Sequence, residues 1–247
     1  MAIDFSKSAL LAIDIQNDFC PAYISKDGKK RPAGALAVSR GDRVIGPLNR
    51  AAEKFAEKKG EIIATQDWHP PGHVSFAASH PGKQINDSIT LQVSEEAVRR
   101  YRQQFPGLDY PIHGEISQIL WPVHCVQDSE GAEFHDEFRK DLLTLVLRKG
   151  TREDLDSYSA FFENDRCTPT ELHDYLRVRS IKTIFIGGLA TDYCVFYSVM
   201  DGIRLGYRVF VLDDTVAGVG FPPGSVERAL ITMKEGGALF IASRDIV

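Results

Sequence analysis

Residues 181–203 read IKTIFIGGLATDYCVFYSVMDGI, and the first ten of them form a short aliphatic run with two glycines near its end. A run of that kind suits a β-strand covered on both faces. Directly behind it Val195, Val199 and Ile203 recur at helical spacing and stop at Gly206. A buried strand that hands over to an amphipathic helix is the repeating unit of a parallel α/β sheet.

Working outward, the same rhythm returns as ALLAIDI (9–15), EIIATQD (61–67), LLTLVLRKG (142–150), YRVFVLDD (207–214) and ALFIAS (238–243). A second helical pattern, Val44, Leu48, Ala51, Ala52 and Phe55, precedes Gly60. Pro47 lies inside it, and because proline lacks an amide donor the helix is expected to start later or kink there. The expected fold is α/β: a three-layer α/β/α sandwich around a mainly parallel, doubly wound sheet of about six strands. No repeat, low-complexity tract or Gly/Ser linker divides residues 1–247, so one domain is expected.

Two insertions interrupt the rhythm, near 23–41 and 88–118. The first contains Asp27-Gly28, a turn signal. The second contains SEEAVRRYRQQFPG, which predicts a helix capped by Ser94, acidic in its first turn, basic in its last, and ended by Pro106-Gly107. Either segment is a surface elaboration or a lid over a site.

A formal net charge of −5 excludes the clustered positive charge that nucleic acid or an anionic membrane selects. No apolar run reaches the roughly 18 residues of a spanning helix, and the N-terminus lacks a signal-peptide pattern. A cytoplasmic enzyme of small molecules is expected. Its four cysteines are too scattered for a disulfide scaffold and would stay thiols in a reducing compartment.

Three residues at strand ends carry acid, base and nucleophile chemistry. Cys194 sits where a strand gives way to a helix, and the helix dipole there should lower its pKa toward thiolate, with the Ala190 and Cys194 amides placed to hold an oxyanion. Its alternative is an ordinary buried cysteine. Asp14 ends ALLAI and could take and return a proton; Lys149 ends LLTLVLRK and could orient Asp14 and favour thiolate. The alternative for this pair is a structural ion pair at the sheet rim, with Arg148 competing for the cationic role, since neighbours on a strand face opposite ways. In DWHPPGH, Asp67 and His69 project to one side of an extended segment, and His124 in WPVHC supplies a third metal ligand. Their alternative is a polar loop. His73 and His80 lie nearby as fourth ligands or packing residues, and His113, His135 and His173 offer no better case.

Taken in order, DIQNDF, TQDWHPPGHVSF, WPVHCVQ, KG with DSYSAF, and GLATDYCV resemble the nicotinamidases of the isochorismatase-like cysteine hydrolase superfamily over nearly the whole chain. The resemblance implies a catalytic triad of Asp14, Lys149 and Cys194, and a metal held by Asp67, His69 and His124. That metal, Zn in the first place with Fe and Mn as alternatives, would hold the ring nitrogen of nicotinamide. Phe19, Trp121, Tyr158, Leu189 and Ala190 would line the ring, and a cis peptide would fall between Leu189 and Ala190. The implied reaction is nicotinamide to nicotinic acid and ammonia in NAD salvage through a Cys thioester, with pyrazinamide also accepted and a homo-oligomer as an option. The rivals are a cysteine hydrolase of another small amide, carbamoyl compound or ureide; a metal-hydroxide hydrolase with Cys194 a bystander; and a non-catalytic interaction module.

Overall fold

The computed structural model describes residues 3–108 and 114–246, so His113 lies outside the described residues. Among the described residues, ten strands and five α-helices follow one another. The strands are β1 Ser8–Ile13, β2 Tyr23–Ile24, β3 Lys30–Arg31, β4 Glu61–Asp67, β5 Ser88–Gln92, β6 Glu115–Ile119, β7 Leu145–Lys149, β8 Thr183–Leu189, β9 Arg208–Ala217 and β10 Leu239–Ile241. The helices are α1 Ile45–Glu57, α2 Glu95–Gln104, α3 Leu172–Val178, α4 Phe196–Arg204 and α5 Ser225–Glu235.

All six predicted runs enter one parallel sheet, in the order β10-β9-β8-β1-β4-β7. Its central strands are buried on both faces, which is why their sequences show no polar alternation. The period of two survives as a division of labour between two cores. Leu10, Ala12, Ile62, Ala64, Phe185 and Phe210 face the layer of α1, through Ile45, Leu48, Ala51, Ala52 and Phe55. Leu11, Ile13, Ile63, Ile184, Ile186 and Val209 face the other layer, where α3, α4 and α5 contribute Leu172, Leu176, Val199, Ala229 and Met233. No helix among the described residues is long and apolar enough to cross a membrane.

Pro47 neither delays nor kinks α1. It falls in the first turn, where an amide donor is not needed, and a short 3-10 turn at Gly41–Val44 leads the chain in. Helix α2 follows its expected limits, with the Ser94 hydroxyl accepting from the Ala97 amide. The first insertion folds as the hairpin β2-β3 with Gly28 in the left-handed region, and the second as the antiparallel hairpin β5-β6 enclosing α2.

The chain passes from β1 to β4 and β7 on one side, then crosses back to β8, β9 and β10 on the other. The strand order therefore reverses beside β1. In open α/β sheets the crevice at the carboxyl ends of the strands at such a point is where ligands bind. Asp14 follows β1, Asp67 closes β4, Lys149 closes β7, and Ala190 follows β8. Topology alone gathers the site.

Candidate active site

Asp14, Lys149 and Cys194 meet below the floor of a cleft, and all three are buried. Lys149 Nζ lies 3.0 Å from Asp14 Oδ2 and 3.4 Å from Cys194 Sγ, and it donates to the Ser157 carbonyl at 2.9 Å. It also touches Asp67 Oδ1. Arg148, its rival, points out of the sheet and stacks its guanidinium 3.8 Å over the Trp68 ring. Asp14 sits at φ 48° and is fixed by Thr65, whose hydroxyl donates to Oδ1 at 2.6 Å and accepts the Asp14 amide at 3.1 Å. Close approach of β8 to β1 depends on Gly188 at φ 127°, because a Cβ there would overlap the Ile13 carbonyl. The Leu189-Ala190 peptide is cis, and residues 191–195 form one π-helical turn that presents Cys194 before α4 begins.

The electrostatics correct one expectation. Burial and the two nearby carboxylates push the Cys194 thiol well above its ordinary pKa, against the lowering by Lys149. The helix dipole and the ammonium do not produce a resting thiolate. Burial likewise lifts Asp14 to about 6, opposed by Lys149, while Lys149 is held charged by Asp14 and Asp67 in spite of its own burial. At neutral pH the arrangement is a neutral thiol beside an ionised carboxylate and an ammonium. Such a carboxylate can accept the thiol proton when a substrate arrives.

Asp67, His69 and His124 are buried alongside, their ligand atoms all within 4.8 Å of one another. Each imidazole is oriented through its far nitrogen: His69 Nδ1 is 2.8 Å from the Gly150 carbonyl, and His124 Nδ1 is 2.8 Å from the Pro122 carbonyl. Nδ1–H donation to those carbonyls leaves both Nε2 atoms free to ligate, the arrangement that fixes tautomer and raises ligand basicity in metal sites. Gly150 can lie so close because it has no Cβ; one would strike the His69 ring. Burial and the neighbouring His69 push His124 down to about 4, so it stands neutral. Burial also favours neutral His69, but the adjacent Asp67 reverses this and raises its pKa, marking the position where a cation would replace a proton. One carboxylate and two imidazoles with a shared opening fit a divalent metal with room for further ligands.

Of the other histidines, His73 stacks on His69 with centroids 4.0 Å apart and forms a second buried grouping with His69 and Asp156. His80 bonds the Val74 carbonyl, His135 lies against Tyr23 and His173 against Tyr207, all outside both groupings.

A small, half-open cleft lies above. Phe19, Trp121, Tyr158 and Ala190 line it, together with Asp67, His69, His124 and Cys194. Leu189 does not; its side chain is buried in the α1-side core. Four lining residues were missed by the sequence reading: Leu36, Asp156, Tyr193 and Val219. Asp156 and Tyr193 lie within the motifs DSYSAF and GLATDYCV and so carry a signal in the sequence. Val219 had no local signal. It arrives because the Asp192 carboxylate accepts the Val219 and Gly220 amides, each at 2.9 Å. Leu36 comes from the first insertion, held by Asp18, which accepts the Ala35 amide through Oδ1 and the Cys125 amide through Oδ2.

A thiol, a carboxylate and an ammonium thus meet beside a carboxylate and two imidazoles at the carboxyl edge of a doubly wound sheet. The Isochorismatase domain model matches residues 8–245, and the chain belongs to that family. It is 38% identical over 239 residues to the nicotinamidase of Escherichia coli (strain K12), covering 96% of this chain and 95% of the relative. Its fold is similar to that of a nicotinamidase-pyrazinamidase from Acinetobacter baumanii, with a TM-score of 0.80 and 36% identity over 98% of this chain and 99% of that one. It is also similar to the pyrazinamidase of Pyrococcus horikoshii in complex with zinc, with a TM-score of 0.68 and 31% identity over 96% and 99% of the two chains.

Proposed function

We propose that this protein hydrolyses the carboxamide of nicotinamide to nicotinic acid and ammonia, as a step of NAD salvage in the cytosol, with pyrazinamide as a second substrate. The observation that carries the reading is one lysine ammonium in contact with the Asp14 carboxylate, the Asp67 carboxylate and the Cys194 thiol beneath an aromatic-walled cleft. The likeness to nicotinamidases over nearly the full chain supports the same substrate.

Asp14 takes the proton of Cys194 as sulfur attacks the amide carbon. The negative charge that develops on the amide oxygen is held by the Ala190 and Cys194 main-chain amides, a kind of donor worth roughly 2.7 to 4 kcal/mol of barrier. Asp14 then delivers its proton to the departing nitrogen, the C–N bond breaks, and ammonia leaves a thioester on Cys194. Water, deprotonated by the same carboxylate, attacks the thioester carbon, the C–S bond breaks to release nicotinic acid, and Asp14 returns the proton to sulfur. Lys149 stays an ammonium throughout and balances the charge on Asp14 and on sulfur.

Asp67, His69 and His124 would hold a divalent cation, zinc in the first place, which when bound would supply a Lewis acid for the ring nitrogen. Phe19, Trp121 and Tyr158 accept the flat ring between them. Ammonia release from nicotinamide, pyrazinamide and a ureide by the purified, metal-supplied protein tests the assignment. Release from the ureide alone would replace it with the rival substrate class.

Two consequences are measurable. His124→Ala is expected to lose at least about tenfold in metal affinity, since even the partners of ligating imidazoles contribute that much; elemental analysis after dialysis against a weak chelator reads it. Metal retained at wild-type stoichiometry would remove His124 from the ligand set. The second is a pH effect. A general base must be ionised, so kcat/KM is expected to fall as pH drops through an apparent pKa of about 6, set by burial of Asp14 against the pull of Lys149. That value belongs to Asp14 and Asp67 titrating together around the Lys149 ammonium. A profile flat down to pH of about 4.5 would mean that Asp14 is not the base.

A further inference from the structure

Gln118 has no part in the chemistry above, yet it is the one fully buried residue of β6, on a hairpin otherwise open to solvent. Alternation along the strand puts it on the same face as Ile116 and buried Leu120, where an apolar side chain would be ordinary. A buried amide costs stability unless its donors and acceptor are all met. Here they are. The two Nε2 hydrogens are shared among three acceptors, Asp156 Oδ2 at 2.9 Å, the Ile119 carbonyl at 2.9 Å and the Tyr158 hydroxyl at 3.1 Å, and Oε1 accepts from Asn164 Nδ2 at 3.0 Å.

Asn164 completes a clasp around the same segment. Its side-chain oxygen accepts the Tyr158 amide at 2.9 Å, and its own amide donates to the Asp156 carbonyl at 2.8 Å. Tyr158 also accepts from Trp121 Nε1 at 3.0 Å. The clasped segment thus presents two cleft residues, Asp156 and Tyr158, and braces a third, Trp121. On the proposed reading of the cleft as a nicotinamide site, we infer that Gln118 is a positioning residue, through which the second insertion sets the aromatic wall and so the affinity for the ring.

The test is steady-state hydrolysis of nicotinamide by the full-length, metal-supplied protein, comparing wild type with Gln118→Met, which keeps volume without donors, and Gln118→Glu, which keeps shape and sets a carboxylate against Asp156. Both are expected to raise KM, and Ki for nicotinate, about tenfold while kcat moves less than about threefold. In a Tyr158→Phe background the added effect of Gln118→Met is expected to shrink to about twofold, because the two residues act through one contact. Thermal melts identify a variant that fails to fold, and the other variant then carries the result. KM and Ki unchanged in a folded variant, or kcat falling as far as KM rises, would overturn the inference and leave the substrate assignment standing. A wild type without turnover of nicotinamide would overturn both.

Discussion

Replacing Cys194 by alanine is expected to lower kcat/KM for nicotinamide by about 10⁴ or more while leaving the fold intact. The loss is large because sulfur forms the covalent bond; nothing else in the cleft is placed to do so. Stability should change little, since only one buried atom is removed, a deletion of roughly 1 kcal/mol. Lys149 keeps Asp14, Asp67 and the Ser157 carbonyl as partners. The measurement is single-turnover and steady-state ammonia release beside a thermal melt. Retention of a substantial fraction of activity that a chelator then abolishes would transfer catalysis to the metal and make the thiol a bystander.

Lys149→Met is the second large effect, and it strikes stability as well as rate. The ammonium separates two buried carboxylates, and its removal leaves Asp14 without a counter-charge and Asp67 with His69 alone. Breaking a buried ion pair from one side typically costs about 3 to 5 kcal/mol, here a fall in Tm of roughly 10 °C. Activity should fall at least about 10³-fold, as Asp14 becomes protonated and cannot serve as base. The sign of the pH dependence is distinctive. Without Lys149 the buried Asp14 carboxyl titrates above the value of about 6 that it has beside the ammonium and well above its unfolded value, so the folded state binds the extra proton and the metal-free variant gains stability as pH falls through that raised value. A variant equally stable on both sides of that value would mean that water or another cation replaces the ammonium.

Much of this was legible in the chain. Continuous aliphatic runs marked all six strands of the main sheet because burial on both faces leaves no polar position to confuse the period. Asp14, Asp67, Lys149 and Cys194 stood out because each closes or closely follows such a run, where a charged group or thiol needs a reason. Other features came from contacts between remote segments. Val219 enters the cleft through Asp192, Leu36 through Asp18, and Gln118 reads as a strand residue until its partners at 156, 158 and 164 are in place. The state of the thiol was misjudged for a similar reason. A dipole can be read from a strand-to-helix junction, but the depth of burial and the two carboxylates that oppose it come from other strands.

The strand order carries a further consequence for how the protein fails. Asp14 and the nucleophile turn hang from β1 and β8, which lie in the middle of the sheet with a paired neighbour on each side, whereas Lys149 closes β7, its edge. Edge strands open at lower free energy than the interior that they flank. Mild denaturant or heat can therefore peel away the lysine while nucleophile and base remain docked, and the population of silent molecules is set by local fraying rather than by the global midpoint.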